Sequence, residues 1–374
     1  MSPAHIVGWG KYVPERVLTN AELSKTVDTT DEWIRTRTGI SERRIAGDGE
    51  TTSRMAIQAA WAALEEAALS PAQLDLIIVA TATPDYAFPA TACLVQDALG
   101  ARHAAAFDLS AGCTGFIYAL GVAADMIAAK DGPGKTSTAL VIGAETLSRI
   151  TDWTDRATCV LFGDGAGAVV LRADDSQGGI LSTVLGADGS GGDLLYLPAG
   201  GSAEPSSHRT VSERLHYVQM RGREVFRFAV RAMPDATQRA LEEAELTVAD
   251  LDLLVPHQAN RRILETAAKA LDLPPKMVYG NLERYGNTSA ASIPIALCEA
   301  VEEGLIQRDD VIVCVGFGAG LTWGATAVRW SVPLPTAPPT LRRRVRYQLL
   351  QSYAYVRSLV LRFVRWLFSR VVKE

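Results

Sequence analysis

The chain has 374 residues, 48% of them hydrophobic and 21% charged, with a formal net charge of −5, a size that suits one large domain or two closely packed halves. Residues 341–374 hold eight Arg, one Lys and one Glu, a local charge of +8, which leaves −13 on the remainder. So acidic a body excludes bulk nucleic-acid binding, which needs a basic face against phosphate, and five cysteines with no CxxC pair suggest neither a disulfide framework nor a zinc site.

The opening MSPAHIVGWGKYVP has no basic stretch followed by an apolar one, so no signal peptide is expected and a reducing cytoplasm is the expected location. TTSRMAIQAAWAALEEA (51–67) carries helical periodicity and leads through a turn into the apolar strand LDLII. In FDLSAGCTGFIYALGVAADMIAA (107–129) a strand runs through small residues into Cys113, and a helical pattern follows at once. A cysteine at a helix N-terminus has its thiolate stabilised by the helix dipole and by free N–H groups. Ala111, Gly112 and Gly115 leave room for a substrate. On this segment alone Cys113 reads equally as a nucleophile or as an inert buried thiol.

Further along, ALVIGAET (139–146) is a buried-strand run and GREVFRFAVRAMPDATQRALEEA (222–244) a helix. In LDLLVPHQANRRILETAAKAL (251–271), His257 follows an apolar strand, in a turn opened by Pro256, before a helix that begins near Asn260. ERYGNTSAASIPIALCEAV (283–301) places Asn287 between Gly286 and Thr288 ahead of a small-residue helix, where on this segment alone a turn and cap role is favoured. VCVGFGAGLTWGA (313–325) starts within the strand run VIVCVGFG (311–318). Its glycines either expose N–H groups to an oxyanion or allow close strand packing. The GxGxxG spacing of a dinucleotide site is not met.

ALEEAALSPAQLDLII (63–78) and ALEEAELTVADLDLLV (240–255) agree at ten of sixteen positions at a constant offset of 177. The period is too long for a solenoid, so two similar βα halves are expected. The same offset carries the end of the first strand onto His257 and Ser110 onto Asn287. The equivalent loops of the two halves are therefore expected to meet, with one site built from both.

SVPLPTAPPT (331–340) is a Pro-rich spacer. In the tail beyond it, Arg357, Arg362, Arg365 and Arg370 share one broad side of a helix, and Leu359, Val360, Phe363, Val364, Leu367 and Val371 fill the other. Arg recurs too often for a transmembrane span. Peripheral membrane contact through residues 341–374, docking onto the acidic body, and an unstructured extension all stay open.

Taken together, the stretches DTTDEWIRTRTGI (28–40), TPDYAFPATACLVQ (83–96), DLSAGCTGFIYAL (108–120), DWTDRATCVLFGDGAGAVVL (152–171), HQANRRI (257–263), GNTSAAS (286–292) and GFGAGLTWG (316–324) resemble the thiolase superfamily. They resemble most closely the β-ketoacyl-[acyl-carrier-protein] synthase III family, over residues 4–331. The resemblance implies an α/β thiolase-like fold: duplicated βα halves in a layered α/β/α/β/α sandwich, with a C-terminal basic amphipathic helix added. The expected division is 1–173 for the half with the nucleophile, 174–331 for the half with His and Asn, 332–340 for the linker and 341–374 for the tail.

The resemblance further implies a Cys113, His257 and Asn287 catalytic set, with backbone N–H groups of Cys113 and Ala319 as the oxyanion hole. The family often carries Gly where Ala319 stands, so the role requires backbone angles that suit Ala. The pairing of His with Asn separates this family from relatives that use two histidines, or two cysteines with a His. It points to a decarboxylating condensation of an acyl-CoA with malonyl-acyl carrier protein. Coenzyme A is expected against Thr29, Trp33, Arg37, Arg156, Phe226 and Asn260, with Trp33 and Arg156 sandwiching the adenine. The acidic carrier protein is expected at Arg227, Arg262 and Lys269. Phe88 matches a residue that closes the acyl pocket of the partner subunit, so a homodimer is expected. No metal and no cofactor beyond the thioester substrates is implied. A secondary-metabolism condensing enzyme is the alternative; a non-catalytic acyl-binding scaffold is disfavoured because all three reactive positions are present.

Overall fold

Two runs of Val, Ile, Leu, Ala and Cys, Thr138–Thr146 and Val311–Gly318, are buried along their whole length and form interior strands of two separate sheets. In the computed structural model, which describes residues 2–129, 136–332 and 341–371, the first sheet has five strands. Their order is Ala4–Tyr12, Asp164–Ala173, Thr138–Thr146, Leu76–Ala80 and Ala105–Leu109. The second has four, in the order Leu253–Pro256, Val311–Gly318, Thr322–Arg329 and Gly179–Ala187. In each sheet the strand after the ALEEA repeat, Leu76–Ala80 or Leu253–Pro256, pairs parallel with its interior neighbour. Ala105–Leu109 also joins Leu76–Ala80 in parallel, and the remaining pairings are antiparallel.

The repeat recurs in three dimensions down to single hydrogen bonds. The helices Thr52–Glu66 and Gly222–Glu243 both end at a left-handed residue, Ala68 and Glu245, with φ of 55° and 57°. The next helical turns open with capping boxes, Ser70 with Gln73 and Thr247 with Asp250, which satisfy the free N–H groups of each turn. Asp75 and Asp252 then accept from backbone N–H groups at the start of the neighbouring strand, Thr138 in one case and Val311 in the other.

Burial divides the helices into three layers. Gly115–Ala128 and Ser292–Glu302 pack between the sheets in one apolar core. Thr52–Glu66 and Thr91–Leu99 cover the outer face of the five-stranded sheet. Gly222–Glu243 and Arg261–Ala270 cover the outer face of the other. The order is helix, sheet, helix, sheet, helix, and both central helices start at the residues expected to do chemistry.

Within the Pro-rich spacer, residues 333–340 lie outside the described residues. The tail is helical over Leu341–Val371 and packs on Thr91–Leu99 and Thr52–Glu66. The face it buries is not the one that hydrophobic periodicity emphasises. Tyr347, Ala354 and Ser358 meet the body, whereas Leu359, Val360, Phe363 and Leu367 stay exposed. Small side chains and one aromatic hydroxyl permit the close approach, and the bulkier apolar residues face outward. No helix among the described residues is long and apolar enough to cross a membrane.

Candidate active site

The strand Ala105–Leu109 ends one short crossing before a single tight turn, Gly112–Thr114, and the central helix Gly115–Ala128 follows without a break. Cys113 therefore sits at the entry to a helix between the sheets, buried in its cavity wall. The end of the interior strand of the other sheet presses directly on it. A Cβ on Gly318 would lie 2.6 Å from the Cys113 backbone N, so only glycine allows this approach. A Cβ on Gly112 would meet the Ala319 N at 2.9 Å. The Thr322 hydroxyl joins the two segments by donating to the Ala111 carbonyl at 2.9 Å. Neither the Cys113 nor the Ala319 N–H donates to a backbone carbonyl among the described residues. Ala319 is absent from the residues with positive φ, and the neighbouring Gly320 takes φ of +140° instead. The alanine in this turn is thus accommodated without strain.

His257 follows the strand Leu253–Pro256, and its backbone N–H continues the parallel ladder to Val315 O at 2.8 Å. Its ring packs edge-on against Phe317, with centroids 5.3 Å apart. Nδ1 lies 2.6 Å from the Ser292 hydroxyl. Burial pushes the imidazole down to about 3, so it is neutral at ordinary pH. When the Ser292 hydroxyl donates to Nδ1, the ring proton resides on Nε2.

Asn287 is held at both backbone groups by the segment Leu161–Gly163: its N–H donates to Leu161 O at 2.8 Å and its carbonyl accepts from Gly163 N–H at 3.0 Å. The side-chain Oδ1 accepts from Ser289 N–H at 2.8 Å, which leaves the Nδ2 hydrogens as the free end of the amide. Cys113, His257 and Asn287 line one cavity of about 90 Å³ together with Phe226, Asn260 and Gly318. The three expected residues come together, drawn from both sheets.

Behind the nucleophile lies a buried carboxylate, Glu145, in the strand Thr138–Thr146. It accepts from the Thr83 hydroxyl at 2.5 Å and from the Ser289 hydroxyl at 3.0 Å. Burial raises its pKa, and these hydrogen bonds oppose the rise. Burial pushes the Cys113 thiol up to about 12, against the pull of Ser289. The helix entry was expected to favour thiolate; in the closed cavity desolvation outweighs it, and the resting sulfur is a thiol. Sequence reasoning passed over Glu145, Ser289 and Ser292. The signals were a lone acid inside an apolar strand run and the two serines of GNTSAAS.

Of the remaining expected residues, Phe226 and Asn260 line the cavity and the others lie outside its lining. Trp33 lies under both Arg37 and Arg156, whose guanidinium carbons are 5.1 Å and 4.9 Å from its ring centroid. Arg156 also donates to Asp28 O at 2.7 Å. A base entering between Trp33 and Arg156 would have to displace the arginine. The Thr29 hydroxyl is buried with no hydrogen-bond partner among the described residues. Asn260 caps the helix Arg261–Ala270 through Arg262 N–H, and its Nδ2 donates to Arg37 O at 3.0 Å. Arg262 lies over Phe226 at 5.5 Å, with Arg227 exposed on the adjacent helix. Lys269 borders a separate, wider cleft of about 540 Å³ that contains neither a cysteine nor a histidine. Phe88 is 86% exposed and lies outside the cavity of its own chain.

Residues 107–189 match the family described as 3-oxoacyl-[acyl-carrier-protein] synthase III, and residues 241–330 match its C-terminal counterpart. The chain is 57% identical over 328 residues to a beta-ketoacyl-[acyl-carrier-protein] synthase III of Caldanaerobacter subterraneus, covering 88% of this chain and 98% of that one. Among solved structures, 3-oxoacyl-[acyl-carrier-protein] synthase III from Aquifex aeolicus superposes with a TM-score of 0.80 at 50% identity, covering 87% of this chain and all of that one. The priming β-ketosynthase of the R1128 polyketide pathway superposes with a TM-score of 0.81 at 38% identity, over 89% of this chain and 98% of that one.

Proposed function

The chain belongs to the 3-oxoacyl-[acyl-carrier-protein] synthase III family, and from that premise we propose how its own residues carry the reaction. It is a condensing acyltransferase that initiates fatty acid biosynthesis, joining an acyl-CoA to malonyl-acyl carrier protein with release of CoA and carbon dioxide. Cys113 is the acyl carrier. Its thiol attacks the acyl-CoA carbonyl and gives up its proton to the departing CoA sulfur, leaving an acyl thioester on the enzyme. The tetrahedral oxygen is held by the N–H groups of Cys113 and Ala319, which have no backbone acceptor among the described residues.

Malonyl carrier protein then binds, and loss of carbon dioxide leaves negative charge on its thioester oxygen. Neutral His257, with its proton on Nε2, and the Asn287 amide donate to that oxygen. Each such donor is worth roughly 2.7–4 kcal/mol in a closed site. The resulting carbanion attacks the acyl-Cys113 carbonyl, and collapse frees the cysteine. The observation that carries this reading is the single cavity lined by the three residues, with Asn287 Oδ1 already occupied by Ser289 so that the donor end is free.

Trp33 and Arg156 take the adenine once Arg156 has swung outward, and Phe226 and Asn260 line the approach. Arg227, Arg262 and Lys269 receive the acidic carrier protein. Two copies pair through the exposed Phe88 loop and the edge strand Ala105–Leu109, whose outer rim has no partner strand among the described residues. The likeness to the R1128 priming β-ketosynthase supports a second reading, in which the same chemistry primes a secondary-metabolite chain.

The test is mass spectrometry of carrier-protein products formed from malonyl carrier protein and acetyl-, isobutyryl-, hexanoyl- or longer acyl-CoA. Short primers giving 3-oxoacyl carrier protein support the first reading, whereas a preference for primers outside the fatty-acid set supports the second. Condensation that survives Cys113→Ala would refute the nucleophile assignment.

A further inference from the structure

The family match ends at residue 330, and the helix Leu341–Val371 lies beyond it. One face of that helix is committed to the body. The Tyr347 hydroxyl donates to Leu64 O and Leu69 O at 2.9 and 2.8 Å, and its ring meets Trp61 edge-on. Ala354 is buried beside Gly100, and Ser358 and Arg362 both donate to Asp97. These residues recur at helical spacing along one side.

The opposite side carries a second stripe. Val345, Leu349, Val356, Phe363 and Leu367 follow one another at steps of four or seven residues, and each is at least 42% exposed. The stripe runs the length of a helix roughly 46 Å long at ~1.5 Å per residue. Arg342 and Arg346 border its beginning beside Val345 and Leu349, and Arg357 follows on the side of Arg346. The segment 341–371 contains eight Arg and neither Asp nor Glu. Near its end Phe363 stacks on Trp366, and Arg370 lies 4.2 Å over the Trp366 ring.

We propose that this outer face of the C-terminal helix lies on an anionic phospholipid surface, in the plane of the interface, and tethers the enzyme there. An apolar stripe bordered by arginines, with aromatic residues that suit the headgroup boundary, matches both layers of such a surface. Charge selects the lipid over a second copy of the helix, because two acid-free helices brought stripe to stripe would set arginine against arginine. The body beneath has a charge of −13 once residues 341–374 are set aside, so it is repelled by the same surface and the helix alone makes the contact.

The test uses the full chain and sedimentation with vesicles of phosphatidylglycerol and phosphatidylcholine in equal parts, against pure phosphatidylcholine. Binding is expected to be at least tenfold stronger to the anionic vesicles and to weaken in 0.5 M salt. Val356→Glu with Phe363→Glu is expected to lower it at least tenfold while condensation continues at the original rate. Should that pair fail to fold, Arg346→Gln with Arg357→Gln is expected to lower it severalfold. Equal binding to both vesicle types, or binding that survives the substitutions, would overturn the proposal. So would a lipid-free oligomer that dissociates on Val356→Glu with Phe363→Glu, which would make a second copy the occupant. None of these outcomes depends on the condensation chemistry.

Discussion

Replacing Ser292 with alanine isolates the one contact that sets the proton on His257. The hydroxyl lies 2.6 Å from Nδ1, and both residues are buried, so no water replaces it at once. A buried acceptor left unpaired costs about 1–3 kcal/mol. Expressed in the rate of decarboxylation this is roughly 5- to 150-fold, at a factor of ten per ~1.4 kcal/mol. If the ring proton moves fully to Nδ1, the Nε2 donor disappears and the loss rises toward ~10³-fold. The assay is carbon dioxide release from malonyl carrier protein in a Cys113→Ala background, which removes acyl transfer from the readout. Nitrogen NMR of labelled histidine reads the tautomer directly, and Ser292→Thr, which keeps the hydroxyl, is expected to retain most of the rate. An unchanged rate in Ser292→Ala, or an Nδ1-protonated His257 in the unaltered protein, would refute the reasoning.

Gly318→Ala places a Cβ 2.6 Å from the Cys113 N and so is expected to abolish acylation while the protein still folds with a lowered melting temperature; intact-mass measurement after acyl-CoA treatment checks it. Stability should fall on both sides of neutrality. Unfolded His257 takes up a proton near pH 6.5 and the folded residue only near 3, so its contribution is complete above 6.5 and shrinks as pH drops. The Cys113 thiol is raised from 9.0 to about 12, so its contribution is lost as pH rises above 9.0. Denaturant titrations of His257→Gln should show an acid limb shallower by about 1.4 kcal/mol per pH unit, one proton's worth. Tyr347→Phe removes two buried hydrogen bonds to Leu64 and Leu69 and is expected to raise amide exchange in residues 347–358 by roughly 5- to 150-fold, corresponding to ~1–3 kcal/mol, with little change in the body.

Much of this architecture could be read in the chain because local and long-range demands coincide there. Thr51 caps the helix Thr52–Glu66, Asn260 caps Arg261–Ala270, and VIVCVGFG is a strand over its whole written length, Val311–Gly318. The ALEEA repeat was visible because each copy meets the same turn, capping box and strand entry. What escaped reading was cooperative in space. Glu145 gains meaning only from Ser289, which lies 144 residues away, and Ser292 only from the ring of His257. The tail misled for another reason. Hydrophobic periodicity weights large side chains, and here the docked face is built from Tyr347, Ala354 and Ser358.

The Glu145–Ser289 hydrogen bond joins a strand of the N-terminal half to the turn that opens the central helix of the C-terminal half. Gly318 against Cys113 makes a second such tie with almost no clearance. Catalytic competence is therefore a property of alignment between two preassembled blocks. A slip of one ångström along that seam would misdirect the sulfur and the oxyanion donors while every helix and strand stayed intact. Activity in this enzyme should consequently be the first signal to fade under heat or denaturant, well before the loss of secondary structure, and its early decline would report the seam and not the melting of either block.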